Sequence, residues 1–485
     1  MRSVEKQHCE QAGAKGPVVK SVVTGTTTKD GWIKDNAMND AQQQRRLIVG
    51  LGKTGLSCAR FLQAQNIPFM VVDSREAPPE LATFRAEFPE TALQLGAFET
   101  SLFLDCAEII LSPGVALQTP AVAAAVAAGL PVIGDIDLFA RNSDAPVIAI
   151  TGSNGKSSVT ELLNTILYCA GKRVAMGGNI GTPALTLLPR PGEKAPDFYL
   201  LELSSFQLET THELNAAASV ILNLSPDHLD RYDDLAHYLS AKQRIMRGDG
   251  VVVWNRDDPL LNRMQLNGRT CYSFGMGVPS ENSYGVQLKE GIRYLAKGEQ
   301  LIMPVEALAI KGAHNIANAL AAIALAESVA VSLPAIVAGL KQFTGLPHRM
   351  QWVAERDGIT WFNDSKGTNV GATVAALAGL DRRVILIAGG VGKGADFSPL
   401  KKVVAEKARA VILLGQDGPS IAAALDGEVP VRYAESMALA VAEAAQLAEA
   451  GDAVLLSPAC ASFDMFSGFE ARGRAFIAAV KEVLA

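Results

Sequence analysis

The stretch Ile148–Leu163, IAITGSNGKSSVTELL, runs from a β-branched segment through a turn into a helical pattern, and the turn ends on Gly155-Lys156-Ser157. A common phosphate-binding loop reads G-x-x-x-x-G-K-[ST]; here Ile150 occupies the place of its first glycine. The compressed T-G-x-N-G-K-S form still offers the successive amides of Gly152, Ser153, Asn154 and Gly155 to an anion at a helix N-terminus. Lys156 adds a mobile positive charge, and Ser157 adds a hydroxyl able to bind magnesium. A lysine-bearing loop with no ligand is the plainer alternative, and the restrictive pattern weighs against it.

Two further residues are out of place for their surroundings. In FYLLELSSF the single carboxylate Glu202 interrupts an apolar run typical of a strand buried on both faces, where an unpaired charge is costly. It should therefore meet a cation, either a salt-bridge partner or a magnesium ion beside the phosphate loop. In DDLAHYLSAKQRIM, Leu235, Tyr238 and Leu239 stand at i, i+3 and i+4 and Lys242 at i+7, which puts the lysine on the apolar stripe with Ile245 and Met246. Such a lysine ordinarily snorkels to solvent. Burial would instead lower its pKa, and a neutral amine can take up carbon dioxide as a carbamate, an acidic metal ligand. His228, beside Asp227 after SVILNLS, is placed either to join that site or to act as a capping or core histidine.

A second glycine loop lies upstream. Gly50-Leu51-Gly52-Lys53-Thr54-Gly55 is a G-x-G-x-x-G between a strand and a helix, and Asp73 ends the next strand, where an acid often bonds a ribose. Alone, the pattern specifies a nucleotide diphosphate. It leaves open a nicotinamide dehydrogenase, or a tight turn whose glycines serve packing only.

These residues need elements to hold them. RRLIVGLG, PFMVVDS, AEIILSPG and PVIGD alternate with the helical patterns TGLSCARFLQAQ, PELATFRAEF and PAVAAAVAAG, as in a parallel α/β sheet. RNSDAP (141–146) reads as a linker, after which PVIAITG begins a second series containing FYLLELSSF, SVILNLS and VVVWNRDD. Beyond LPHRM (346–350), ITWFNDS, VILIAGG, AVILLGQ and DAVLLSPA supply a third. A chain of 485 residues exceeds one ordinary core. The expectation is three consecutive α/β domains, over 46–140, 141–346 and 347–485, preceded by a polar, aperiodic tail over 1–45 expected to be disordered. Met38 is a candidate functional start.

With 49% apolar residues, a formal charge of −6 and no basic run, the composition predicts a soluble globular protein that does not bind nucleic acid. The six cysteines, Cys9, Cys58, Cys106, Cys169, Cys271 and Cys460, are scattered, which argues against disulfides or a zinc site and for a reducing cytoplasm. The most apolar window, 317–340, is broken by Glu327, Ser328, Ser332 and Pro334 and predicts two alanine-rich helices, with no membrane insertion. No self-association motif is evident, and a monomer is expected.

TGSNGKSSVTELL, GGNIGTP, LELSSFQLE, SPDHLDRY, SAKQRIM, GAHNIANALAA, LPHRMQWV, FNDSKGTN and SPACASFDMFSGFEARG occur in the order found in the Mur ligases, which the chain resembles from about Leu47 to its C-terminus. That resemblance implies a Rossmann-like N-terminal domain, a central P-loop-type ATPase domain and a Rossmann-like C-terminal domain. The implied activity is ATP-dependent amide ligation in peptidoglycan precursor synthesis, most closely the addition of D-glutamate to UDP-N-acetylmuramoyl-L-alanine through an acyl phosphate, with ADP and phosphate as products. Gly52, Lys53, Thr54, Asp73 and Arg75 would bind the uridine diphosphate, with Ser112-Pro113-Gly114 nearby and Asn179 approaching from the second domain. Gly152 to Ser158 would bind the ATP phosphates; Ser157 and Glu202 would hold one magnesium ion, and His228 with a carbamate on Lys242 a second. Asn315 and Asn318 would meet adenine, while Arg349, Asp364 and Lys366 close over ribose and phosphate. Thr368, Lys393, Ser462 and Phe469 would hold D-glutamate. In GGVGKGAD, Val391 replaces an acid found in some relatives, so the support of Lys393 is expected to differ. Folylpolyglutamate synthase and other Mur ligases share the ATP half, and a nucleotide-dependent binding protein without turnover is the alternative of a different class.

Overall fold

The computed structural model describes residues 45–228, 231–264, 266 and 268–485. Most of the expected tail, with Cys9 and Met38, and Asp230 of the SPDHLDRY motif lie outside the described residues.

Three sheets follow one another along the chain. The first, in the order β3-β2-β1-β4-β5, joins β1 (Arg46–Val49), β2 (Phe69–Asp73), β3 (Leu93–Leu95), β4 (Glu108–Leu111) and β5 (Val132–Ile133), all parallel. The middle sheet has nine strands in the order β14-β13-β12-β11-β10-β9-β6-β8-β7. Its parallel part comprises β6 (Val147–Thr151), β7 (Val174–Gly178), β8 (Phe198–Glu202), β9 (Ala218–Ile221), β10 (Val251–Asn255) and β11 (Cys271–Phe274). β12 (Ser283–Lys289) runs parallel to β11, then pairs antiparallel with β13 (Ile292–Lys297), which pairs with β14 (Gln300–Pro304). The third sheet, in the order β15-β16-β20-β17-β18-β19, contains β15 (Gln351–Arg356), β16 (Ile359–Asn363), β17 (Val384–Ala388), β18 (Ala408–Leu413), β19 (Val431–Tyr433) and β20 (Ala453–Leu456); only the β15–β16 pair is antiparallel.

The central strands FMVVD, VIAIT and VILIA are buried at every position, as strands covered by helices on both faces must be. The two alanine-rich helices form over Ala313–Ser328 and Leu333–Gln342. The second crosses the helix Lys156–Cys169 so closely that a Cβ on Gly339 would lie 2.6 Å from the Cα of Ile166. No helix among the described residues is long and apolar enough to cross a membrane.

The stretch expected to be a linker begins inside the helix Asp135–Asn142, and it is not slack. Arg141 pairs with Glu108 at 2.7 Å and with Glu213 at 2.6 Å, and Phe139 meets Tyr199 edge-on at 4.9 Å between centroids. Each aromatic side chain fully buried in this way contributes roughly 1.5–3 kcal/mol. One apolar cluster runs from Ile48 and Leu62 through Phe139 to Leu201 and Val252, so the first two sheets share a continuous core. Loop length and polarity suggested a joint because polar residues dominate RNSDAP; in the fold Arg141 makes ion pairs across it and Asp144 accepts a hydrogen bond from Tyr199 Oη at 3.1 Å.

Candidate active site

β6 leads into a turn over 152–155, and the helix begins at Lys156. Gly155 has φ +82°, a conformation that favours glycine, and a Cβ there would lie 2.6 Å from Oδ1 of Asn318 on the helix Ala313–Ser328. The Lys156 ammonium donates to the carbonyls of Gly152 and Ser153, at 2.9 Å each. Burial lowers its pKa; Glu202 opposes that shift and Arg349 adds to it. Ser153 and Asn154 are pinned to the loop after β9, where Asn154 N donates to Asn223 Oδ1 at 2.8 Å.

Glu202 ends β8 directly beside Ile150 of β6 and is 3% exposed. Its Oε1 accepts from Asn179 at 2.8 Å, while its Oε2 is buried with no hydrogen-bond partner. A carboxylate oxygen left in that state at the base of a phosphate loop fits a divalent cation. Among the described residues no group of three or more His, Cys, Asp or Glu side chains is gathered for a metal. A single buried carboxylate beside a phosphate loop is a donor set compatible with magnesium, which takes one or two carboxylates and completes its octahedron with phosphates and water.

Lys242 sits on the helix Leu235–Gln243, 1% exposed, and so does not snorkel. Its Nζ donates to the carbonyl of Gly152 at 2.9 Å and lies 4.4 Å from the centroid of Tyr238; no ion pair to a described carboxylate is formed. Burial holds its pKa well below 10.5, and the neighbouring Lys156 lowers it further. A buried amine favouring its neutral form fits the donor needed for a carbamate. His228 lies in the loop after β9 with φ +57°, its ring 4.7 Å from that of Phe206 and its Nε2 3.7 Å from Asp227 Oδ2.

A cavity of about 330 Å³ gathers Asn154, Gly155, Ser158, Asn315, Asn318, Arg349, Asp364 and Lys366. Arg349 crosses to the middle lobe and donates to Ser157 Oγ at 2.9 Å. Asp364 accepts from Met350 N and from Ser457 Oγ at 2.7 Å; burial raises its pKa to about 6. Burial, reinforced by Arg349, lowers Lys366 to about 8. A second bridge, missed in the sequence, is Asn369: its side chain caps the helix Val370–Ala378, donates to Asn154 Oδ1 at 3.2 Å and to Asp227 Oδ2 at 3.3 Å. Its place three residues before Ala372 was a legible cap signal, but nothing local revealed its partners.

A separate cavity of about 640 Å³ is lined by Gly52, Lys53, Thr54, Asp73, Arg75, Gly114 and Asn179, together with Ser204 and Gln207. In the first glycine loop Gly50 has φ +98°, a Cβ on Gly55 would lie 1.9 Å from Gly50 O, and Gly52 faces open space. Asp73 is 2% exposed and receives Leu51 N at 2.7 Å and Arg75 Nε and Nη2 at 2.8 and 2.7 Å. Burial pushes its pKa up, but the Arg75 side chain and these amides outweigh that and leave it lowered. It thus orients Arg75. Ser204 and Gln207, unassigned in the sequence, form a capping box that was readable as S-x-x-Q.

Of the four residues expected at D-glutamate, Ser462 is 2% exposed and Lys393 is exposed with φ +54°, on loops joined by the Val391–Ala461 bridge. Phe469 opens the helix Phe469–Val483 with Lys366 Nζ 3.9 Å from its ring centroid, and Thr368 lies two residues beyond Lys366. The structure therefore places Asn154, Gly155, Ser158, Asn315, Asn318, Arg349, Asp364 and Lys366 around one cavity, Gly52, Lys53, Thr54, Asp73, Arg75, Gly114 and Asn179 around a second, and Lys393 and Ser462 on neighbouring loops at the C-terminal ends of the third sheet's strands; Lys156, Ser157, Glu202, His228 and Lys242 line neither of these two cavities.

Family descriptions match in the same order: "Mur ligase MurD-like, N-terminal domain" over residues 44–134, "Mur ligase middle domain" over 150–326 and "Mur ligase, glutamate ligase domain" over 348–460. The UDP-N-acetylmuramoylalanine--D-glutamate ligase of Nitrosococcus oceani is 52% identical over 440 residues, covering 90% of this chain and 96% of the relative. That of Pseudomonas aeruginosa is 49% identical over 447 residues, covering 91% and 99%. Among solved structures, a MurF ligase from Thermotoga maritima in complex with ADP superposes with a TM-score of 0.58 at 14% identity, covering 92% of this chain and 99% of its own; at that identity the likeness speaks for the three-lobed α/β fold. Matched in order by three domain descriptions and 52% identical to a relative over 90% of its length, this chain belongs to the Mur ligase family.

Proposed function

We propose that the protein is an ATP-dependent ligase that joins the amine of D-glutamate to the carboxylate of UDP-N-acetylmuramoyl-L-alanine in peptidoglycan precursor synthesis, acting as a monomer in the cytoplasm. The observation that carries this reading is the 52% identity, over 96% of the relative's length, to a ligase named for that substrate pair. The dehydrogenase reading of the first glycine loop has no use for the second phosphate loop or for buried Lys242.

The chemistry follows from charge. A carboxylate expels oxide poorly, so it first attacks the γ-phosphorus of ATP; an acyl phosphate forms and ADP leaves. The amine of D-glutamate then adds to the acyl carbon, the tetrahedral adduct collapses to the amide, and phosphate departs as the amine gives up a proton. Bringing a carboxylate against a triphosphate is repulsive unless cations are already in place. Lys156 and Arg349 supply two of them, and the amides of Gly152 to Ser158 hold the phosphate oxygens.

Ser157 and Glu202 would hold one magnesium ion and His228 with a carbamate on Lys242 a second, and the ions would neutralise phosphoryl charge. Asn179 fixes Glu202 from the substrate side. Asn315 and Asn318 face adenine; Asp364 and Lys366 close over ribose and phosphate. Lys53, Thr54 and Arg75 hold the uridine diphosphate end, with Asp73 locking Arg75. Thr368, Lys393, Ser462 and Phe469 take the two carboxylates of D-glutamate. Sites split among three lobes are completed by closure, which keeps water from the acyl phosphate.

The test is phosphate release by the purified protein with UDP-N-acetylmuramoyl-L-alanine, magnesium and ATP. D-glutamate should stimulate it and L-glutamate should not; equal stimulation by both, or by neither, contradicts the assignment.

A further inference from the structure

Three loops leave the third sheet at the C-terminal ends of adjacent parallel strands: 389–394 after β17, 414–417 after β18 and 457–464 after β20. The first carries Lys393 and the third Ser462, while the middle loop carries no residue assigned to a substrate. It nevertheless ties the other two together. Oδ2 of Asp417 accepts the amide of Gly392 at 2.7 Å, next in the chain to Lys393, and Asp417 N donates to Gly390 O at 2.9 Å. From the other side, Oδ2 of Asp464 accepts the amide of Gln416 at 2.9 Å, and Val391 and Ala461 exchange both backbone hydrogen bonds at 2.9 Å.

The spacing leaves no slack. A Cβ on Gly389 would lie 1.8 Å from Leu414 O, one on Gly390 2.1 Å from Ala461 O, and one on Gly415 2.4 Å from Asp464 Oδ2. Gly389, Gly390, Lys393 and Gly415 all have positive φ, +121°, +129°, +54° and +77°. A non-glycine residue such as Lys393 keeps that conformation only where its surroundings impose it. Valine at 391 offers no side-chain acceptor, so the polar hold on this loop comes from the neighbouring strand's loop.

We propose that Asp417 is the positioning residue of the amino-acid pocket. By gripping the Gly392 amide it fixes the backbone from which Lys393 reaches the substrate carboxylate, and Asp464 seats the Asp417 loop against the loop of Ser462. The proposal rests on the ligase reading above. Its ligand is the amino-acid substrate, and its atom-level claim is hydrogen-bond acceptance, not charge, because the partner of Asp417 is a neutral amide.

Steady-state kinetics of Asp417→Ala and Asp417→Asn separate the possibilities, after the unsubstituted protein has shown phosphate release dependent on D-glutamate; failure at that first step overturns the functional reading together with this proposal, whereas the variants test the proposal alone. Asp417→Ala should raise the KM for D-glutamate on the order of ten- to a hundredfold, the scale on which small misplacements of a contact group act, with the KM for ATP and for the uridine nucleotide substrate within about twofold of the parent. Asp417→Asn keeps an acceptor oxygen and should restore the KM to within about threefold. An unchanged KM for D-glutamate in the alanine variant, an equal rise for ATP, or an asparagine variant as impaired as alanine would each overturn the proposal. Should Asp417→Ala fail to fold, Asp464→Ala reports on the same loop from its far side and should show the same selective rise; its absence counts against the proposal equally.

Discussion

The guanidinium of Arg349 donates to the hydroxyl of Ser157 at 2.9 Å, joining the entrance of the third lobe to the first turn of the phosphate-loop helix across 192 positions of chain. Burial lowers the Arg349 pKa, yet an arginine remains charged at any ordinary pH, so a fixed cation stands at the place where triphosphate oxygens would arrive. Arg349→Ala should therefore lower kcat/KM for ATP on the order of 10²-fold, as loss of one pre-placed donor to transition-state charge does. Activity within threefold of the parent in initial-rate assays would remove Arg349 from the site.

Glu202 makes a contrary pair of predictions. Its Oε2 is buried without a hydrogen-bond partner, so that oxygen stays desolvated and unpaired until a cation arrives. Glu202→Gln should unfold at an equal or higher temperature than the parent without magnesium, and should lose the magnesium dependence of phosphate release together with most turnover. A lower melting temperature without metal, combined with unaltered magnesium titration, would show that the carboxylate is structural.

Lys242→Ala removes the buried amine that sits against the Gly152 carbonyl. If the working form is a carbamate, formate or acetate at high concentration should refill the vacated space and restore part of the rate. Full activity in the variant without any additive would exclude Lys242 from the site.

Ser462→Ala tests the loop cluster. The KM for D-glutamate should rise by about tenfold while that for ATP stays nearly constant, the loss expected when a hydroxyl contact to a charged group of about 1.5 kcal/mol is deleted. The reverse pattern would move the amino-acid pocket elsewhere.

Asp364 carries a pH signature. Its folded pKa of about 6 exceeds the ordinary 3.8, so the folded chain holds this proton more tightly than the unfolded one. The stability it contributes is complete below the unfolded pKa and is lost as pH rises through the folded pKa, by roughly 3 kcal/mol at most. Thermal unfolding of nucleotide-free Asp364→Asn should lack that loss, so its melting temperature should gain on the parent's between about pH 4 and 6 and then keep a constant lead. A lead that does not change over this window would place Asp364 in an ordinary aqueous setting.

The parts of this site that a sequence can show are those in which one residue contradicts its local pattern. Glu202 in an apolar strand, Lys242 on an apolar helical stripe and the glycines of two loops announce themselves because burial, periodicity and φ are local properties. Strands that break the parallel rule do not: β12 to β14 form antiparallel pairs around turns such as Lys289 to Ile292, and their half-exposed edges lack the continuous apolar run of VIAIT. Nor do partners far apart in sequence. Asn369 with Asn154 and Asp417 with Gly392 are set by where three sheets place their loop ends. Arg349 was identified through the order of family motifs, since nothing in LPHRM states what its arginine will meet.

A crystal structure with a non-hydrolysable ATP analogue, magnesium and UDP-N-acetylmuramoyl-L-alanine puts the central arrangement to direct test. The triphosphate should lie on the amides of Gly152 to Ser158 with Lys156 and Arg349 in contact and electron density for a cation at Glu202 Oε2, and the substrate carboxylate should face the γ-phosphorus. A triphosphate bound away from Lys156, Glu202 and Lys242 would contradict it.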